Sequence, residues 1–140
     1  MSYAVEFIHV SRLYGDVRAV DDVTVNINDG EFFSMLGPSG SGKTTCLRLI
    51  AGFEQLSGGT ISIFGKEASE LPPWERDVNT VFQDYALFPH MSILDNVAYG
   101  LMVKGIDKKK RHAQARDALE KVGLSFAIAR KPSQLSGGQR

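Results

Sequence analysis

The sequence predicts an α/β fold, in which an N-terminal β region and a glycine-rich loop are followed by a helical region. Three observations predict it: period-2 alternation over residues 23–28, the loop over residues 37–45 between an apolar run and a helical stretch, and a change to helical spacing after about residue 88. With 140 residues, 43% hydrophobic and 23% charged, the composition is that of one globular domain, which argues against disorder and fibre.

The first strand signal is an alternation of apolar with polar residues, typical of a half-buried strand. Its apolar members are Val23, Val25 and Ile27. The dipeptide at residues 29–30, Asp-Gly, predicts a tight turn. The run over residues 31–36 alternates less, so we expect a strand buried on both faces, as in parallel sheets covered by helices.

Further along, residues 58–59 predict another turn and residues 61–63 a short strand. The prolines within residues 71–74 predict a surface loop. Residues 77–82 predict a further core strand that ends at Gln83 and Asp84.

A helix is predicted after Asp107, whose carboxylate can cap it. Its apolar positions at helical spacing are Ala115, Ala118, Leu119 and Val122. Gly123 suits the position after the helix, and Leu124 can fold back onto it.

The strongest local signal is a complete G-x-x-x-x-G-K-[ST] phosphate loop. It reads Gly37, Pro38, Ser39, Gly40, Ser41, Gly42, Lys43, Thr44. Glycines let the backbone N–H groups wrap around phosphate oxygens at a helix N-terminus. Lys43 can reach the β- and γ-phosphates, the Thr44 hydroxyl can ligate Mg²⁺, and Thr45 adds a hydroxyl near the α-phosphate. The motif alone leaves ATPases, GTPases, kinases and transport motors open.

A second glycine-rich segment stands near the end of the chain, and two interpretations of it remain open. Its residues are Leu135, Ser136, Gly137, Gly138 and Gln139. It can be a helix N-terminus aimed at another anion, or a loop that merely caps a helix.

Together, the two glycine-rich segments resemble those of ATP-binding-cassette (ABC) ATPases, in which the second is the family signature. Tyr14 matches the aromatic residue that stacks on adenine, and Gln83 the glutamine that reaches Mg²⁺ and the attacking water. Residues 85–97 resemble the segment that follows this glutamine in importer-type subunits.

The resemblance implies a P-loop NTPase (RecA-like) core with an N-terminal antiparallel β subdomain and a helical subdomain. The expected division is residues 1–87 for the core and β subdomain, 88–134 for the helical subdomain, and 135–140 for the signature at the start of a helix. Lys43 and Gln83 would be catalytic, and Thr44 and Gln83 would bind Mg²⁺. The ATP-binding residues would be Tyr14, Gly37, Pro38, Ser39, Gly40, Ser41, Gly42, Lys43, Thr44, Thr45, Ser136, Gly137, Gly138 and Gln139.

The family also implies partners. Two ATP-binding subunits pair head to tail, so that the signature of one completes the ATP site of the other. The expected partners are therefore a second subunit, transmembrane permease subunits and, indirectly, an extracytoplasmic solute-binding protein. Tyr85, Leu87 and Phe88 could receive a permease helix at the cytoplasmic face of the membrane. Residues 88–101 look most like polyamine, sugar or ferric iron importers, with polyamine slightly preferred.

The chain ends at Arg140, before the family's second carboxylate strand (Walker B), its general-base glutamate and its switch histidine. We therefore expect an N-terminal portion of a longer ATPase, truncated before the Walker B strand, whose 140 residues alone hydrolyse ATP negligibly. The alternatives are a soluble, non-transport ATPase of the same superfamily, an inactive truncated fragment, and an unrelated P-loop kinase or GTPase. An Asn-Lys-x-Asp guanine motif is absent.

Composition limits the remaining possibilities. Sixteen Lys and Arg balance sixteen Asp and Glu, so no nucleic-acid partner is expected. Cys46 is the only cysteine, which excludes an intrachain disulfide and is interpreted as a helix-core residue. No apolar run reaches the ~18 residues of a membrane span, and the N-terminus resembles no secretory signal. The histidines lack metal-ligand spacing, and the basic residues 108–111 are interpreted as a solvated helix face.

Overall fold

The computed structural model describes residues 3–140 of the chain. They form two compact units, of which the first extends to Thr80 and the second comprises Val81–Arg140. The predicted division at residues 87/88 and 134/135 stays a prediction, since compactness alone does not identify functional subdomains.

The first unit is built on a four-stranded antiparallel sheet with the order β2-β1-β3-β4. Its strands are β1 (Tyr3–Tyr14), β2 (Val17–Asn28), β3 (Gly58–Ile63) and β4 (Lys66–Glu67). The two long strands form a hairpin that closes with Tyr14 opposite Val17. The predicted alternation over residues 23–28 lies within β2, and the predicted turn at residues 29–30 follows it.

Helix α1 (Lys43–Ala51) packs one apolar face against this sheet. The buried core of the unit consists of Phe7, Val10, Val20, Leu49 and Ile61. The helix starts within the last residues of the glycine-rich loop, next to Gly42, as the sequence predicts, and it packs on the sheet.

Three predictions about the β region are wrong. Residues 31–36 and 77–82 form no strand in the described part of the chain, and Phe32, Leu36 and Val81 are 94%, 95% and 94% exposed. Apolar composition alone does not make a strand, because a strand also needs a partner for its backbone hydrogen bonds. Residues 58–59 begin β3 instead of forming a turn, and a Cβ on Gly59 would lie 2.3 Å from the His9 carbonyl oxygen of β1.

The second unit consists of helices α2 (Ile93–Val103) and α3 (Lys108–Lys121) with short 3₁₀ turns after them. Its buried core is formed by Ile93, Leu94, Ala98, Ala115, Leu119, Ala127 and Leu135. The predicted ends of α3 are confirmed. Asp107 accepts hydrogen bonds from the N–H groups of Lys109 and Lys110. After Gly123, which has a positive φ of 71°, the Leu124 N–H donates to the Leu119 carbonyl at 2.8 Å.

The buried stripe of α3 is narrower than predicted. Ala115 and Leu119 are buried, but Ala118 is exposed and Val122 is 66% exposed. α3 packs mainly on α2, and a single neighbour covers only a narrow strip of a helix.

In the predicted loop of the first unit, Pro73–Glu75 form a 3₁₀ turn that exposes Trp74. None of the helices within residues 3–140 is both long and apolar enough to cross a membrane.

Candidate functional site

The glycine-rich loop is shaped by close contact with β2. Gly42 caps α1 with a left-handed backbone, at φ 89°. A Cβ at this position would lie 2.3 Å from the carbonyl oxygen of Ala19. Only glycine permits both the positive φ and this approach, so the loop path depends on it.

The side chain of Lys43 folds back across the loop. Its Nζ donates to the carbonyl oxygens of Gly37 at 2.6 Å and Pro38 at 2.7 Å, and to the Ser41 hydroxyl at 3.1 Å. An ammonium group has three donors, so the loop itself positions the positive charge. The result is a preformed cationic group at the start of α1.

The N-terminus of α1 offers its first-turn N–H groups to an anion. Gly42 provides no side-chain cap, and the first turn contains no acidic residue. The first N–H groups of a helix have no partner within it, and the helix dipole adds a positive field there. The Thr44 side chain belongs to this turn and its residue is exposed.

A cavity of about 440 Å³ lies against the loop. It is lined by Val17, Arg18, Ala19, Ser39, Gly40, Ser41, Gly42, Lys43, Thr44 and Thr45. These lining residues carry backbone N–H groups, hydroxyls and the cationic side chains of Arg18 and Lys43, and no carboxylate is among those that the structure describes, which fits a polyphosphate. The Thr44 hydroxyl is an oxygen ligand of the kind that Mg²⁺ prefers. Sequence reasoning missed the three β2 residues, because nothing local to residues 17–19 signals that β2 passes beside the loop.

Tyr14 lies at the end of β1, opposite Val17 of the cavity lining. It is 42% exposed, and the Arg12 guanidinium carbon lies 4.3 Å from the centroid of its ring. Tyr14 is thus partly exposed and is paired with a residue of the cavity lining, and its predicted stacking on adenine stays a prediction.

The other predicted site residues belong to the second unit. Gln83 lies in an exposed turn, just before Tyr85 and Ala86, which have positive φ values of 67° and 51°. Positive φ is costly for residues with a side chain, so this turn is a strained segment. The predicted Mg²⁺-binding and catalytic roles of Gln83 stay predictions.

The signature segment forms a single turn of 3₁₀ helix, Gly137–Gln139, at the end of the described chain. The Ser136 N–H donates to Gln139 Oε1 at 3.0 Å, and the Gln139 N–H donates to the Ser136 carbonyl oxygen at 3.0 Å. Leu135 anchors the turn in the core of the second unit, whereas Ser136, Gly137 and Gly138 are exposed. The segment therefore presents its polar residues outward, and its ATP-binding role stays a prediction.

A buried guanidinium that sequence reasoning missed holds the other end of α1. Arg76 Nη1 donates to the carbonyls of Leu49 at 2.7 Å and Ile50 at 3.1 Å, and Nε donates to the Leu71 carbonyl at 2.8 Å. Burial lowers the pKa of Arg76 from its ordinary value. A Cβ on Gly52 would lie 2.6 Å from Arg76 Nε, so Gly52 leaves room for this side chain. The last carbonyls of α1 are thereby satisfied by a cation.

A polar cluster that the sequence did not reveal links the two helices of the second unit. His112 Nε2 lies 3.0 Å from Asp95 Oδ1, and the Ser92 hydroxyl donates to Asp95 Oδ2 at 2.8 Å. The hydrogen bond from Ser92 lowers the pKa of Asp95, and His112 and Lys108 lower it further.

In the first unit, burial raises the pKa of the half-buried Cys46 thiol, which packs against the core. Cys46 is thus a packing residue, as interpreted from the sequence.

Comparison with known proteins adds a family. Residues 20–140 match the family model described as ABC transporter. The chain is 84% identical over 140 residues to an uncharacterized ABC transporter ATP-binding protein, YdcT, of Escherichia coli (strain K12), covering 100% of this chain and 42% of that protein. It is 51% identical over 137 residues to the spermidine/putrescine import ATP-binding protein PotA of Roseobacter denitrificans, covering 98% of this chain and 38% of that protein. The chain thus spans less than half of the length of these curated relatives.

The fold is also similar to solved structures. A dimeric bacterial ABC transporter cassette superimposes with a TM-score of 0.86 at 32% identity, covering 96% of this chain and 64% of that one. A dimeric ATP-binding cassette in a post-hydrolysis state, bound to ADP and Pi, gives a TM-score of 0.85 at 32% identity, with the same coverage of 96% and 64%. These neighbours confirm the predicted P-loop NTPase fold class.

Proposed function

This chain belongs to the ABC transporter family, and from that premise we propose that it forms the ATP-binding part of a subunit that hydrolyses ATP to energise solute import. One observation carries the proposal: the cavity of about 440 Å³ is lined by residues 39–45 of the phosphate loop, and none of its lining residues within the described part of the chain carries a carboxylate. Such a set of donors favours a polyphosphate over a neutral or cationic ligand.

Lys43 is the group that we expect to respond to ATP. Its ammonium donates to the neutral carbonyl oxygens of Gly37 and Pro38. Phosphate oxygens are charged and accept stronger hydrogen bonds, so the ammonium would exchange these carbonyls for the β- and γ-phosphates. Thr44, with Gln83, would hold Mg²⁺, which neutralises charge on the phosphates when bound. Catalysis by this group of residues would rest on positioning and charge stabilisation.

The proposed assembly is a head-to-tail pair of subunits. In it the signature residues of one copy would contact the phosphates bound by the other; Ser136, Gly137 and Gly138 are exposed and Gln139 is partly buried. The dimeric state of two similar solved cassettes supports this arrangement. Bound nucleotide would then favour the closed pair because it contributes contacts to both copies, and hydrolysis would release them.

The proposed solute is a polyamine, and the supporting observation is the printed function of relatives. Several of them, at 46% to 52% identity, are named as spermidine/putrescine import proteins. The permease would be a separate polypeptide at the membrane, docked at the turn that contains Tyr85 with Leu87 and Phe88, and supplied by an extracytoplasmic solute-binding protein. The chain itself would work at the cytoplasmic face.

The decisive experiment is isothermal titration of the full-length protein with MgATP. Lys43→Ala should weaken binding about 100-fold, since it removes a charge-assisted contact to two phosphates. The matched control is Lys109→Ala, which removes an exposed lysine in the second unit and should leave the affinity unchanged. Equal affinities of wild-type protein and Lys43→Ala would overturn the proposal.

The solute is tested separately, in the complex of the full-length protein with its permease in proteoliposomes. Uptake of radiolabelled putrescine, dependent on ATP and abolished by Lys43→Ala, is the expected result. ATP-dependent uptake of a sugar but no polyamine would correct the solute and leave the ATPase assignment in place.

A further inference from the structure

The Tyr14 ring has one face covered by a cation. The guanidinium carbon of Arg12 lies 4.3 Å from the ring centroid, which is within the distance of a cation–π contact. Arg12 and Tyr14 are two positions apart near the end of β1, where the pairing with β2 shifts register at Arg12. The ring keeps 42% of its residue's surface exposed, which leaves room for a second planar group.

The guanidinium is also held by an ion pair. Arg12 Nη2 donates to Glu54 Oε1 at 2.7 Å, and the two side chains are 22% and 19% exposed. Glu54 Oε2 in turn lies 3.8 Å from Nε of Arg48 on α1. The covering group of the ring is therefore fixed through Glu54 to the helix that begins at the phosphate loop.

In its observed position, the Nε–H group of Arg12 makes no hydrogen bond within the described residues. The Nε atom is also buried. A buried donor without a partner costs free energy, so the observed placement must be stabilised by other contacts. The contacts present include the ion pair with Glu54 and the cation–π contact with Tyr14, which together can stabilise this placement.

From these contacts we infer that Arg12 is a positioning residue for base recognition: it covers one face of the Tyr14 ring and fixes the other face toward the nucleotide. This inference rests on the proposed function, in which the ligand is ATP and Tyr14 stacks on adenine. Tyr14 pairs with Val17, a residue of the phosphate cavity, so the fixed ring stands next to the place where the phosphates bind. Offset stacking of a base on an aromatic ring needs a ring of defined orientation.

The test compares two ligands of the full-length protein, MgATP and magnesium tripolyphosphate, by isothermal titration. The tripolyphosphate has the charge of the phosphate chain but no base. Arg12→Met keeps the long aliphatic stem, which preserves packing, and removes the planar cation. We expect MgATP to bind about fivefold more weakly, the size of an ordinary cation–π contact, while the affinity for tripolyphosphate stays unchanged.

A second measurement asks whether Arg12 acts through the ring. In a Tyr14→Ala background, Arg12→Met should cause no further loss of MgATP affinity, because the ring that it positions is gone. Arg12→Lys should recover only part of the loss, since an ammonium cannot stack as a guanidinium plane does. Thermal unfolding of each variant identifies any variant that fails to fold, and Glu54→Gln then replaces it as a milder way to loosen Arg12.

Three results would overturn the inference: unchanged MgATP affinity in Arg12→Met, an equal loss for tripolyphosphate, or a full further loss in the Tyr14→Ala background. Failure of the proposed function gives a different result. In that case neither ligand binds in a manner that depends on Lys43, and this holds for the wild-type protein and for every Arg12 variant.

Discussion

Helix α1 begins at Gly42, which offers no side chain to the first-turn N–H groups, whereas α3 begins at Asp107, whose carboxylate accepts from Lys109 and Lys110. Helix α2 resembles α3, because the hydroxyl of Ser92 accepts from the Asp95 N–H. All three starts face the same physical demand, since the first N–H groups of any helix lack internal partners. In the helices of the second unit, the side chains of Ser92 and Asp107 accept hydrogen bonds from these N–H groups.

The difference indicates which helix start can bind an anion. A carboxylate at the N-terminus competes for the same N–H groups and repels an incoming phosphate. At α1 the neighbouring charge is instead the ammonium of Lys43, which the loop holds in place. The phosphate loop is thus a helix start whose own caps are missing, and the loss of capping free energy there is recovered when the ligand binds.

The largest effect is expected for Gly42→Ala. The new Cβ would lie 2.3 Å from the Ala19 carbonyl oxygen, and alanine strongly disfavours a φ of 89°. The loop must move to relieve this contact, and MgATP affinity, measured by isothermal titration, should fall by about 100-fold or more.

Gly105→Ala is the matched control. Gly105 also has a positive φ, of 76°, but a Cβ there would meet nothing within 4 Å. It should cost about 1 kcal/mol of stability, typical of this backbone region, and no affinity. Wild-type affinity in Gly42→Ala would remove the basis of the comparison between the two kinds of helix start.

The next effect is at the opposite end of α1, where Arg76 bonds the carbonyls of Leu49 and Ile50. Arg76→Met fills a similar volume but removes the guanidinium that donates to these carbonyls, and the Leu49 carbonyl keeps only the longer bond from the Gly52 N–H at 3.3 Å. We expect the free energy of unfolding, measured in urea, to fall by about 3 kcal/mol.

Arg130→Met provides the reference for the loss of an arginine. Arg130 is exposed and stacks on Phe126 at 4.9 Å in the second unit, so its removal should cost well under 1 kcal/mol. If the two variants lose the same stability, the guanidinium of Arg76 is not what holds the end of α1.

Local signals in the sequence predicted the local features of the structure. The helix start at the end of the glycine-rich loop, the Asp107 cap and the turn after α3 at Gly123 each depend on residues within one or two turns of one another, and each is confirmed. The phosphate-binding role of the loop stays a prediction. The strand predicted over residues 77–82 failed because its apolar residues gave no information about a partner strand.

Contacts between distant positions could not be predicted in this way. Arg76 reaches Leu49 across 27 positions, and Arg12 reaches Glu54 across 42. A lone arginine in a sequence has the pattern of a surface residue, and only the fold shows that its guanidinium is enclosed. The part of the candidate site that depends on such contacts, including the face of the Tyr14 ring, therefore required the structure.

A smaller effect is expected when the cap of α3 is removed. Asp107→Ala deletes the acceptor of two N–H groups and should lower the free energy of unfolding by about 1 kcal/mol. MgATP affinity should not change, because the N-terminus of α3, which Asp107 caps in the wild-type protein, is not part of the proposed ATP site. Asp117→Ala, an exposed position within the same helix, controls for loss of charge. A decrease in affinity comparable to that of Gly42→Ala would show that α3 also serves the anion site.

The smallest effect concerns Asp95, which sits beside the cap of α2. The Ser92 hydrogen bond lowers the pKa of this carboxyl in the folded state, and His112 and Lys108 lower it further. A lowered folded pKa means that the carboxylate stabilises the fold above its unfolded pKa of about 3.9 and loses this contribution as the pH falls through the folded value. The effect is modest because the side chain is 47% exposed and solvent screens the charge.

Asp95→Asn should therefore lower Tm relative to wild type at pH 6, and the difference should shrink as the pH falls below about 4. The amide retains most of the shape of the carboxylate, so the pH-dependent part reports the charge. Thermal unfolding between pH 3 and pH 7 at low salt measures it, with Asp117→Asn as the exposed control. A difference in Tm that stays constant over this range would mean that Asp95 acts at the start of α2 through its shape alone. The charge of Asp95 would then play no part in stabilising the N-terminus of α2.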